Sequence, residues 1–270
     1  MTDGTTSRAA TADRTADDTP AARVVDLVKD FSGGVRAMDG ITFDIPRGEL
    51  TSIIGPSGCG KTTTLKIIAG LVEATSGRVE VNGVQVAGPG PDRAFVFQDF
   101  ALMPWATVLR NAAFGLELRG VPRKEREEIA KEYVGKVGLA RFENSYPHQL
   151  SGGMRQRVGL ARALAVDADI LLMDEPFASV DEQIRRRFQE DLLRLLSDEK
   201  KTVLFVTHSI EEAVYVSDQV VILTRGPSRV SKVVRPGVDR SGGSDSIRRS
   251  PEYLDWVEQI WSELQSYLET

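Results

Sequence analysis

The sequence predicts an α/β protein whose core is a sheet of short buried strands, with an antiparallel β subdomain and an inserted helical subdomain. Three observations support this fold class. Short, largely apolar runs, typical of parallel strands buried on both faces, occur at Leu50–Ile54, Ile170–Met173 and Val203–Val206. An alternating segment that ends in Asn82-Gly83 is typical of an antiparallel hairpin. Between Thr107 and Leu164 the pattern is mostly helical.

Individual elements follow from the periodicity of the apolar residues. The apolar positions of residues 24–28 predict a strand, and the alternation of Ile41–Ile45 predicts another. The strand Leu50–Ile54 leads through a glycine-rich turn into a predicted helix, Lys61–Ala69. Within the helical insert, the charge-rich stretch from Pro122 to Val137 has a period near 3.6.

The domain organisation is predicted from changes in composition. Residues 1–20 contain almost no large apolar side chains and are expected to form a disordered tail. Residues 21–249 are expected to form one domain, with the helical subdomain inserted at about residues 100–160. Residues 250–270 predict a C-terminal amphipathic helix that begins at Ser250-Pro251 and packs on the core. Its apolar residues at helical spacing are Tyr253, Leu254, Val257, Ile260, Trp261, Leu264 and Leu268.

Composition excludes several classes of protein. A chain of 270 residues that is 41% hydrophobic can bury a core without covalent cross-links. The single cysteine, Cys59, excludes an intrachain disulfide, and with only two histidines it argues against a zinc cluster and fits a reducing compartment. The net charge of −5 argues against nucleic acid as a partner. No apolar run approaches the roughly 18 residues of a membrane span, and no secretory signal is visible at the N-terminus.

The segment Gly55–Thr62 matches the phosphate-binding pattern G-x-x-x-x-G-K-[ST], between a predicted strand and a predicted helix as the motif requires. Its glycines let backbone N–H groups and the helix N-terminus face a phosphate. Lys61 would neutralise the β- and γ-phosphates, and the Thr62 hydroxyl would bind Mg²⁺. The nucleotide-binding candidates are Gly55, Pro56, Ser57, Gly58, Cys59, Gly60, Lys61, Thr62 and Thr63.

Two carboxylates follow the apolar strand Ile170–Met173. In doubly wound sheets, ligands bind at the carboxyl ends of the strands, which is where Asp174 and Glu175 lie. Asp174 is a candidate Mg²⁺ ligand and Glu175 a candidate general base for the attacking water. The alternative is that both carboxylates belong to a solvated strand end.

A second glycine motif separates this sequence from other nucleotide-binding proteins. Ser151-Gly152-Gly153 stands before a helical stretch, within the segment Leu150–Arg157, and predicts another anion-binding helix start. With the phosphate-binding pattern upstream and Asp-Glu downstream, the chain resembles the ABC ATPase family over roughly residues 23–235. This resemblance implies a P-loop ABC ATPase core, ATP and Mg²⁺ as cofactors, and a second ATPase subunit, here expected to be a second copy of the chain.

The resemblance also implies roles for residues outside the two glycine motifs. Phe31 matches the aromatic residue that stacks on adenine, and Gln98 matches the glutamine that contacts Mg²⁺ and the water. Ser151, Gly152 and Gly153 match the signature that binds the γ-phosphate held by the other subunit. Asp181 matches the aspartate at the subunit contact. His208 matches the histidine that contacts the γ-phosphate, so the catalytic set is Glu175, His208, Gln98 and Lys61, and the metal set is Thr62, Gln98 and Asp174.

Several of these residues have structural alternatives. Phe31 could be a core aromatic residue, and His208 could be a core histidine at the end of a buried strand. His148 is expected to be structural, and Cys59 to be a small filler in the loop. The chain departs from the family pattern at Ser179-Val180, where Ala-Leu is commoner, and at Ser209, where aspartate is frequent; neither change removes a catalytic group.

The segment Gln98–Leu109, with Pro104-Trp105 followed by Thr-Val-Leu, is similar to the nitrate, sulfonate and taurine importer group. That similarity implies ATP-driven uptake of a small anionic solute through a separate permease, with a solute-binding protein as an indirect partner. It also implies a peripheral position at the cytoplasmic face of the cell membrane. The alternatives are an importer for another cargo, a soluble ABC protein that acts on chromosomes or ribosomes, and a P-loop kinase or GTPase. The short insert argues against a chromosome protein, the single cassette against a ribosome-acting protein, and the signature against a P-loop kinase or GTPase.

Overall fold

The computed structural model describes residues 19–178, 180–240 and 243–267, with Glu182 and Gln183 described by backbone alone. The predicted disordered tail therefore lies outside the described residues, except for Thr19 and Pro20. The described parts form a mixed α/β structure with two sheets, which confirms the predicted fold class.

The smaller sheet is antiparallel and has the order β2-β1-β4-β5. The larger sheet has six strands in the order β10-β9-β3-β8-β7-β6, parallel except for the antiparallel pairing of β10 with β9. The strands are β1 (Ala22–Phe31), β2 (Val35–Ile45), β3 (Leu50–Ile54), β4 (Ser76–Val81), β5 (Val84–Gln85), β6 (Arg93–Val96), β7 (Ile170–Asp174), β8 (Thr202–Val206), β9 (Gln219–Leu223) and β10 (Val230–Val234).

Alternate residues of the central strands enter two different hydrophobic cores. In β7, Ile170 and Leu172 pack in a core shared with the antiparallel sheet, while Leu171 and Met173 pack in a core shared with most of the helices. The continuous apolar runs follow from this arrangement, because both faces of each central strand are covered.

The antiparallel sheet contains the hairpin that the sequence predicts. Val81 pairs with Val84, so Asn82 and Gly83 form a two-residue turn. Their φ angles are 50° and 76°, both in the left-handed region that a type I′ turn requires. Asparagine and glycine are the residues that adopt this conformation at least cost.

Eight α-helices occur in the described ranges, most of them on one face of the larger sheet. The insert between β6 and β7 contains three of these helices and two short 3₁₀ turns, Ala140–Phe142 and Pro147–Gln149. The helices are α1 (Lys61–Ile68), α2 (Val108–Leu118), α3 (Arg123–Lys136), α4 (Gly152–Ala165), α5 (Glu182–Asp198), α6 (Ile210–Val216), α7 (Ser244–Ile247) and α8 (Pro251–Gln265).

The C-terminal helix α8 begins where the sequence predicts. Ser250 is its N-cap, the Ser250 hydroxyl accepts a hydrogen bond from the Tyr253 backbone N–H, and Pro251 is the first helical residue. Tyr253 and Ile260 are buried in the core, but Leu254 and Trp261 are about half exposed. Leu254 and Trp261 lie seven residues apart on the outer side of the helix, whereas Trp256 packs against the core. Leu268 lies outside the described residues.

The topology brings four strand ends to one edge of the larger sheet. Strands β3, β6, β7 and β8 run parallel, so the segments that follow them leave the sheet on the same side. Those segments carry the glycine-rich loop, Gln98, Glu175 and His208 respectively. Residues far apart in sequence are thereby collected at the position where sheets of this kind bind ligands.

Candidate phosphate-binding and catalytic site

The loop between β3 and α1 has the geometry of an anion cradle. Gly58 and Gly60 have φ angles of 78° and 92°, so the residues on both sides of Cys59 are in a left-handed conformation. Gly60 is the N-cap of α1 and has no side chain to cap the helix, so the N-terminal N–H groups of α1 are free of side-chain partners. Gly55 is required for a different reason: a Cβ there would lie 2.8 Å from Cys59 Sγ and 2.9 Å from the Leu223 carbonyl oxygen.

Lys61, the first residue of α1, is held over this loop. Its ammonium donates hydrogen bonds to the carbonyl oxygens of Gly55 (2.9 Å) and Pro56 (3.2 Å). The side chain is only 8% exposed, so its charge is concentrated inside the loop and not in solvent. A cation in this position attracts the outer phosphates of a nucleotide bound in the cradle.

Thr62 and Asp174 connect the loop to the end of β7. The Thr62 hydroxyl donates a hydrogen bond of 2.8 Å to Asp174 Oδ1. Asp174 is 4% exposed, and this burial is the main cause that raises the pKa of its carboxyl above the ordinary value; the Thr62 hydrogen bond opposes the shift. The sequence separates these residues by 112 positions, and the sheet places them in contact.

Glu175 lies between Gln98 and His208. Its Oε2 atom is 3.4 Å from Gln98 Nε2, which donates to it, and 3.3 Å from His208 Nδ1. The backbone of Glu175 has a φ of 45°, an uncommon conformation for a residue other than glycine. Its N–H donates to the Val206 carbonyl oxygen at 3.0 Å, which holds this strained residue against the end of β8.

These groups surround one cleft of about 360 Å³. Its lining brings the predicted phosphate-binding residues together with Glu175 and His208, and Gln98 approaches through its contact with Glu175. The residues that line it are Ser57, Gly58, Gly60, Lys61, Thr62, Thr63, Glu175 and His208. The His208 side chain is 63% exposed, so the alternative of a core histidine is wrong.

The donors near Thr62 fit Mg²⁺. The hydroxyl of Thr62, the carboxylate of Asp174 and the amide oxygen of Gln98 are hard oxygen ligands of the kind Mg²⁺ takes. In the described ranges, no cluster of three or more His, Cys, Asp or Glu residues is able to hold a metal ion. Few protein ligands are typical of a Mg²⁺ site that shares its ion with substrate phosphates.

Cys59 is a buried member of the glycine-rich loop. Its side chain is 1% exposed and packs in the core beneath the antiparallel sheet. Burial raises the pKa of the Cys59 thiol, although the nearby Lys61 opposes the shift. These contacts support the prediction that Cys59 is a small filler.

Phe31 does not line the cleft. It ends β1 on the antiparallel sheet and is 45% exposed, with the Lys29 ammonium 5.5 Å from the centre of its ring. The alternative of a core aromatic residue is therefore wrong. An exposed aromatic face at a strand end is available to a planar ligand, and base stacking stays a prediction.

The signature residues lie outside the cleft. Ser151 is the N-cap of α4, and its hydroxyl accepts a hydrogen bond of 3.3 Å from the Met154 backbone N–H. Gly152 and Gly153 form the first turn of α4, and Asp181 is the exposed N-cap of α5. Since none of these residues lines the cleft of its own chain, their predicted contact with a phosphate requires another molecule. His148 is exposed and stacks on Tyr146.

The sequence analysis did not predict the hydrogen bonds that hold the backbone next to His208. The Thr207 hydroxyl donates to Glu212 Oε2 at 2.5 Å and accepts from the Ser209 N–H at 3.1 Å. Ser209 caps α6, and its hydroxyl accepts from the Glu212 N–H at 3.1 Å. The capping pattern of Ser209 and Glu212 is visible in the sequence, but the role of Thr207 depends on tertiary position.

The comparisons with known proteins agree with this geometry. A family model described as ABC transporter matches residues 38–178. The chain is 51% identical over 241 residues to an uncharacterized ABC transporter ATP-binding protein of Methanocaldococcus jannaschii, covering 88% of this chain and 89% of the relative. It is 46% identical over 232 residues to the taurine import ATP-binding protein of Chromobacterium violaceum, covering 84% and 89%. The corresponding Escherichia coli protein is 44% identical, covering 85% and 92%.

Solved structures show the same fold. The dimeric structure of a bacterial ABC transporter cassette matches with a TM-score of 0.71 at 32% identity, covering 79% of this chain and 98% of the cassette. Its post-hydrolysis state, bound to ADP and Pi, matches with a TM-score of 0.70 at 31% identity and the same coverage.

The fold and the cleft define a P-loop nucleotide hydrolase, and the chain belongs to the ABC transporter family. Within that family it is the ATPase subunit, which confirms the family and the enzymatic activity that the sequence predicts. Among the described residues, no helix is both long enough and apolar enough to cross a membrane.

Proposed function

We propose that this chain is the ATP-hydrolysing subunit of an ABC importer that takes up a small anionic solute, such as a nitrate, sulfonate or taurine-like compound, through a separate permease. The observation that supports ATP hydrolysis best is the convergence of Gln98 and His208 on one carboxylate oxygen of Glu175, beside the phosphate cradle. The importer class is supported by the names of the taurine import relatives.

In the proposed reaction, the nine loop residues from Gly55 to Thr63 bind the phosphates through the backbone and the helix N-terminus. Lys61 leaves its carbonyl partners and donates to the outer phosphates. Thr62, Asp174 and Gln98 would hold Mg²⁺, which would neutralise charge on the phosphate oxygens. Phe31 stacks on the adenine base.

Glu175 acts as the general base in this proposal. Its carboxylate accepts a proton from the attacking water, while Gln98 and His208 orient that water and the γ-phosphate. The Glu175 backbone conformation aims the side chain into the cleft and away from the strand direction, which explains why a strained residue is tolerated here.

The second nucleotide contact comes from another copy of the chain. Ser151, Gly152 and Gly153 form a helix start that faces no phosphate in their own subunit, so they would bind the γ-phosphate held by the partner, with Asp181 at the subunit contact. The dimeric state of the matching cassette structure supports this arrangement. ATP would stabilise the closed dimer and hydrolysis would release it. The permease would place the chain at the cytoplasmic face of the cell membrane, with a solute-binding protein as an indirect partner.

An affinity pull-down tests the transport role. The Glu175→Gln variant, held in its ATP-bound state, is used to capture partners from detergent-solubilised membranes of the source cells, and Lys61→Ala serves as a variant impaired in ATP binding. Recovery of a polytopic membrane protein with Glu175→Gln and ATP, and less with Lys61→Ala, is the expected result. Recovery of ribosomal or chromosomal partners without a membrane protein would overturn the transport role and leave the ATP site intact.

A further inference from the structure

The two residues that follow the Gln98 segment have an unusual backbone. Phe100 and Ala101 have φ angles of 62° and 45°, so two consecutive residues other than glycine are left-handed. The Cβ of an L-residue crowds its own backbone in this conformation. Two such residues in succession persist only when their surroundings hold them there.

The side chain that holds them is Arg162, from the signature helix α4. Its guanidinium donates hydrogen bonds to the carbonyl oxygens of Ala101 (2.6 Å, from Nη1) and Phe100 (2.9 Å, from Nη2). This two-pronged contact suits the planar guanidinium, and a lysine could not reproduce it. Arg162 is half-buried, and this burial lowers the pKa of its guanidinium.

A second arginine of α4 contacts the same segment. The guanidinium of Arg155 lies 5.3 Å from the centre of the Phe100 ring. Arg155 and Arg162 are seven residues apart, about two turns, so they lie on one face of the helix. The Phe100 and Ala101 carbonyls and the Phe100 ring therefore contact one face of α4.

The other end of α4 carries the signature. Ser151 caps the helix, and Arg162 lies 11 residues further along it, at about 1.5 Å of axial rise per residue. An uninterrupted helix of 14 residues transmits a shift or rotation of its first turn to its last. Gln98, only two residues before Phe100, reaches Glu175 in the cleft.

We propose that Arg162 is a positioning residue for hydrolysis: by holding the Phe100 and Ala101 carbonyls, it fixes Gln98 against Glu175 and couples that contact to the signature end of α4. Engagement of Ser151 by the partner's nucleotide would then adjust Gln98 at the chain's own nucleotide. This inference rests on the proposed roles of Gln98 and Ser151. In this proposal Arg162 makes no contact with the nucleotide, and it acts only by setting the position of Gln98 relative to Glu175.

Arg157 provides a matched control on the same helix. Its guanidinium donates to the Val137 carbonyl oxygen (3.0 Å) and to Asp191 Oδ2 (2.8 Å), and it lies 5.0 Å from the Phe188 ring. Like Arg162 it binds a backbone carbonyl, and like Arg155 it lies beside an aromatic ring, but it also forms an ion pair with Asp191 of α5. If arginines of α4 only stabilise the fold, Arg157→Gln and Arg162→Gln should act alike.

The first experiment compares these variants in the full-length chain. ATP affinity is measured with a fluorescent ATP analogue and kcat from phosphate release. We expect Arg162→Gln to lower kcat about 10- to 100-fold, the effect of misplacing a catalytic group by about 1 Å, while ATP affinity is retained. Arg157→Gln should leave kcat unchanged. An unchanged kcat in Arg162→Gln, or an equal loss in both variants, would overturn the proposal.

The second experiment is a rescue. Glycine adopts the left-handed conformation without steric cost. Adding Ala101→Gly to Arg162→Gln should therefore restore part of the lost kcat, a gain of about fivefold to tenfold over the single variant. If Arg162 only stabilises the fold, Ala101→Gly should raise the free energy of unfolding of Arg162→Gln without raising the kcat of the folded protein. No gain in the double variant would count against the proposal. If Arg162→Gln does not fold, the same comparison is made with Arg162→Lys, alone and combined with Ala101→Gly. A gain in kcat from Ala101→Gly supports the proposal, and no gain overturns it.

A third variant separates this inference from the proposed function. If Gln98→Ala leaves kcat unchanged, the assigned role of Gln98 is wrong and the positioning role of Arg162 is lost with it. If Gln98→Ala lowers kcat and Arg162→Gln does not, the catalytic assignment stands and only the coupling through Arg162 is wrong.

Discussion

His208 Nδ1 lies 3.3 Å from Glu175 Oε2, the same oxygen that Gln98 Nε2 approaches to 3.4 Å. The three side chains follow three different strands, β8, β7 and β6. They are far apart in sequence and meet because these strands end at the same edge of the sheet. A carboxylate with two nitrogen groups on one oxygen keeps its other oxygen available to a water molecule. The adjacent Asp174 differs from Glu175 because it is almost fully buried and accepts a hydrogen bond from Thr62 on Oδ1.

Replacing Glu175 by glutamine tests its role as a base. Glutamine has the same shape and cannot accept a proton, so kcat should fall about 10²- to 10⁴-fold while ATP still binds. Phosphate release and ATP affinity are measured on the same sample. Glu132→Gln is a control, because Glu132 is exposed and pairs with Lys136 one turn away, far from the cleft in sequence. Turnover near the wild-type value in Glu175→Gln would remove Glu175 from this role.

The requirement for Mg²⁺ should depend on pH through Asp174. Mg²⁺ binds an ionised carboxylate, and an ordinary aspartate has a pKa of about 3.9. Because burial raises the pKa of Asp174, this carboxyl should protonate at a higher pH than an ordinary aspartate. The Mg²⁺ affinity should therefore decline at that higher pH. Thr62→Val removes a hydrogen bond that lowers this pKa, so in that variant the loss should begin at higher pH. Thr62→Ser keeps the hydroxyl and serves as the control.

The measurement is a Mg²⁺ titration of ATPase activity at several pH values between about 5 and 8, a range in which unperturbed carboxylates stay ionised. Comparing variants at each pH cancels the titration of ATP itself. Identical pH profiles for Thr62→Val and Thr62→Ser would exclude the Thr62–Asp174 hydrogen bond as a determinant of metal binding.

Phe31→Ala tests adenine stacking. Stacking of a base on an aromatic ring contributes about 1–3 kcal/mol, and the ATP affinity should fall by that amount. The free energy of unfolding should change little, because Phe31 is already 45% exposed. Phe142→Ala, at a residue 40% exposed in the helical insert, is the matched control. If both variants bind ATP like the wild type, Phe31 does not contact the base.

Gly55→Ala should destabilise the fold as well as the site. The added Cβ would lie 2.9 Å from the Leu223 carbonyl oxygen and 2.8 Å from Cys59 Sγ, and the backbone cannot retreat without moving β9. Overpacking of this kind costs about 1–3 kcal/mol in the free energy of unfolding. Gly88→Ala, where an added Cβ meets nothing within 4 Å, should be neutral in the same denaturation experiment.

Cys59 should resist alkylation in the native state. The thiolate is the reactive form, and the thiol is buried with a raised pKa, so iodoacetamide should modify it far more slowly in the folded protein than in denaturant. ATP should slow the reaction further, because the proposed phosphate site is formed by the same loop. Equal rates in folded and unfolded protein, followed by mass spectrometry, would show that the loop opens freely.

The sequence predicts the phosphate loop, the signature and most central strands because these depend on local rules. A glycine-rich turn between a strand and a helix needs only neighbouring residues, and so does the Asn82-Gly83 turn, whose left-handed angles the structure confirms. Buried parallel strands are visible as apolar runs because both faces are covered. These patterns were sufficient to predict the family and the ATPase activity.

The strands β6, β9 and β10 and the helices α6 and α7 were not predicted, since each has seven residues or fewer and shows little periodicity. The helix α5 was not predicted either, although it is 17 residues long and amphipathic. The face of α8 was predicted only in part: a helical spacing gives candidates for burial, but Leu254 and Trp261 are exposed because the core contacts other positions.

Local sequence alone therefore determined which residues are able to bind a nucleotide, and tertiary structure decided which of them meet. The contacts of Thr62 with Asp174 and of Glu175 with His208 and Gln98 join residues 33 to 112 positions apart. They exist because parallel strands end at one edge of the sheet. The contact of Arg162 with Phe100 and Ala101 has no local signal at all, since it depends on how the signature helix packs against a loop that precedes it by about 60 residues.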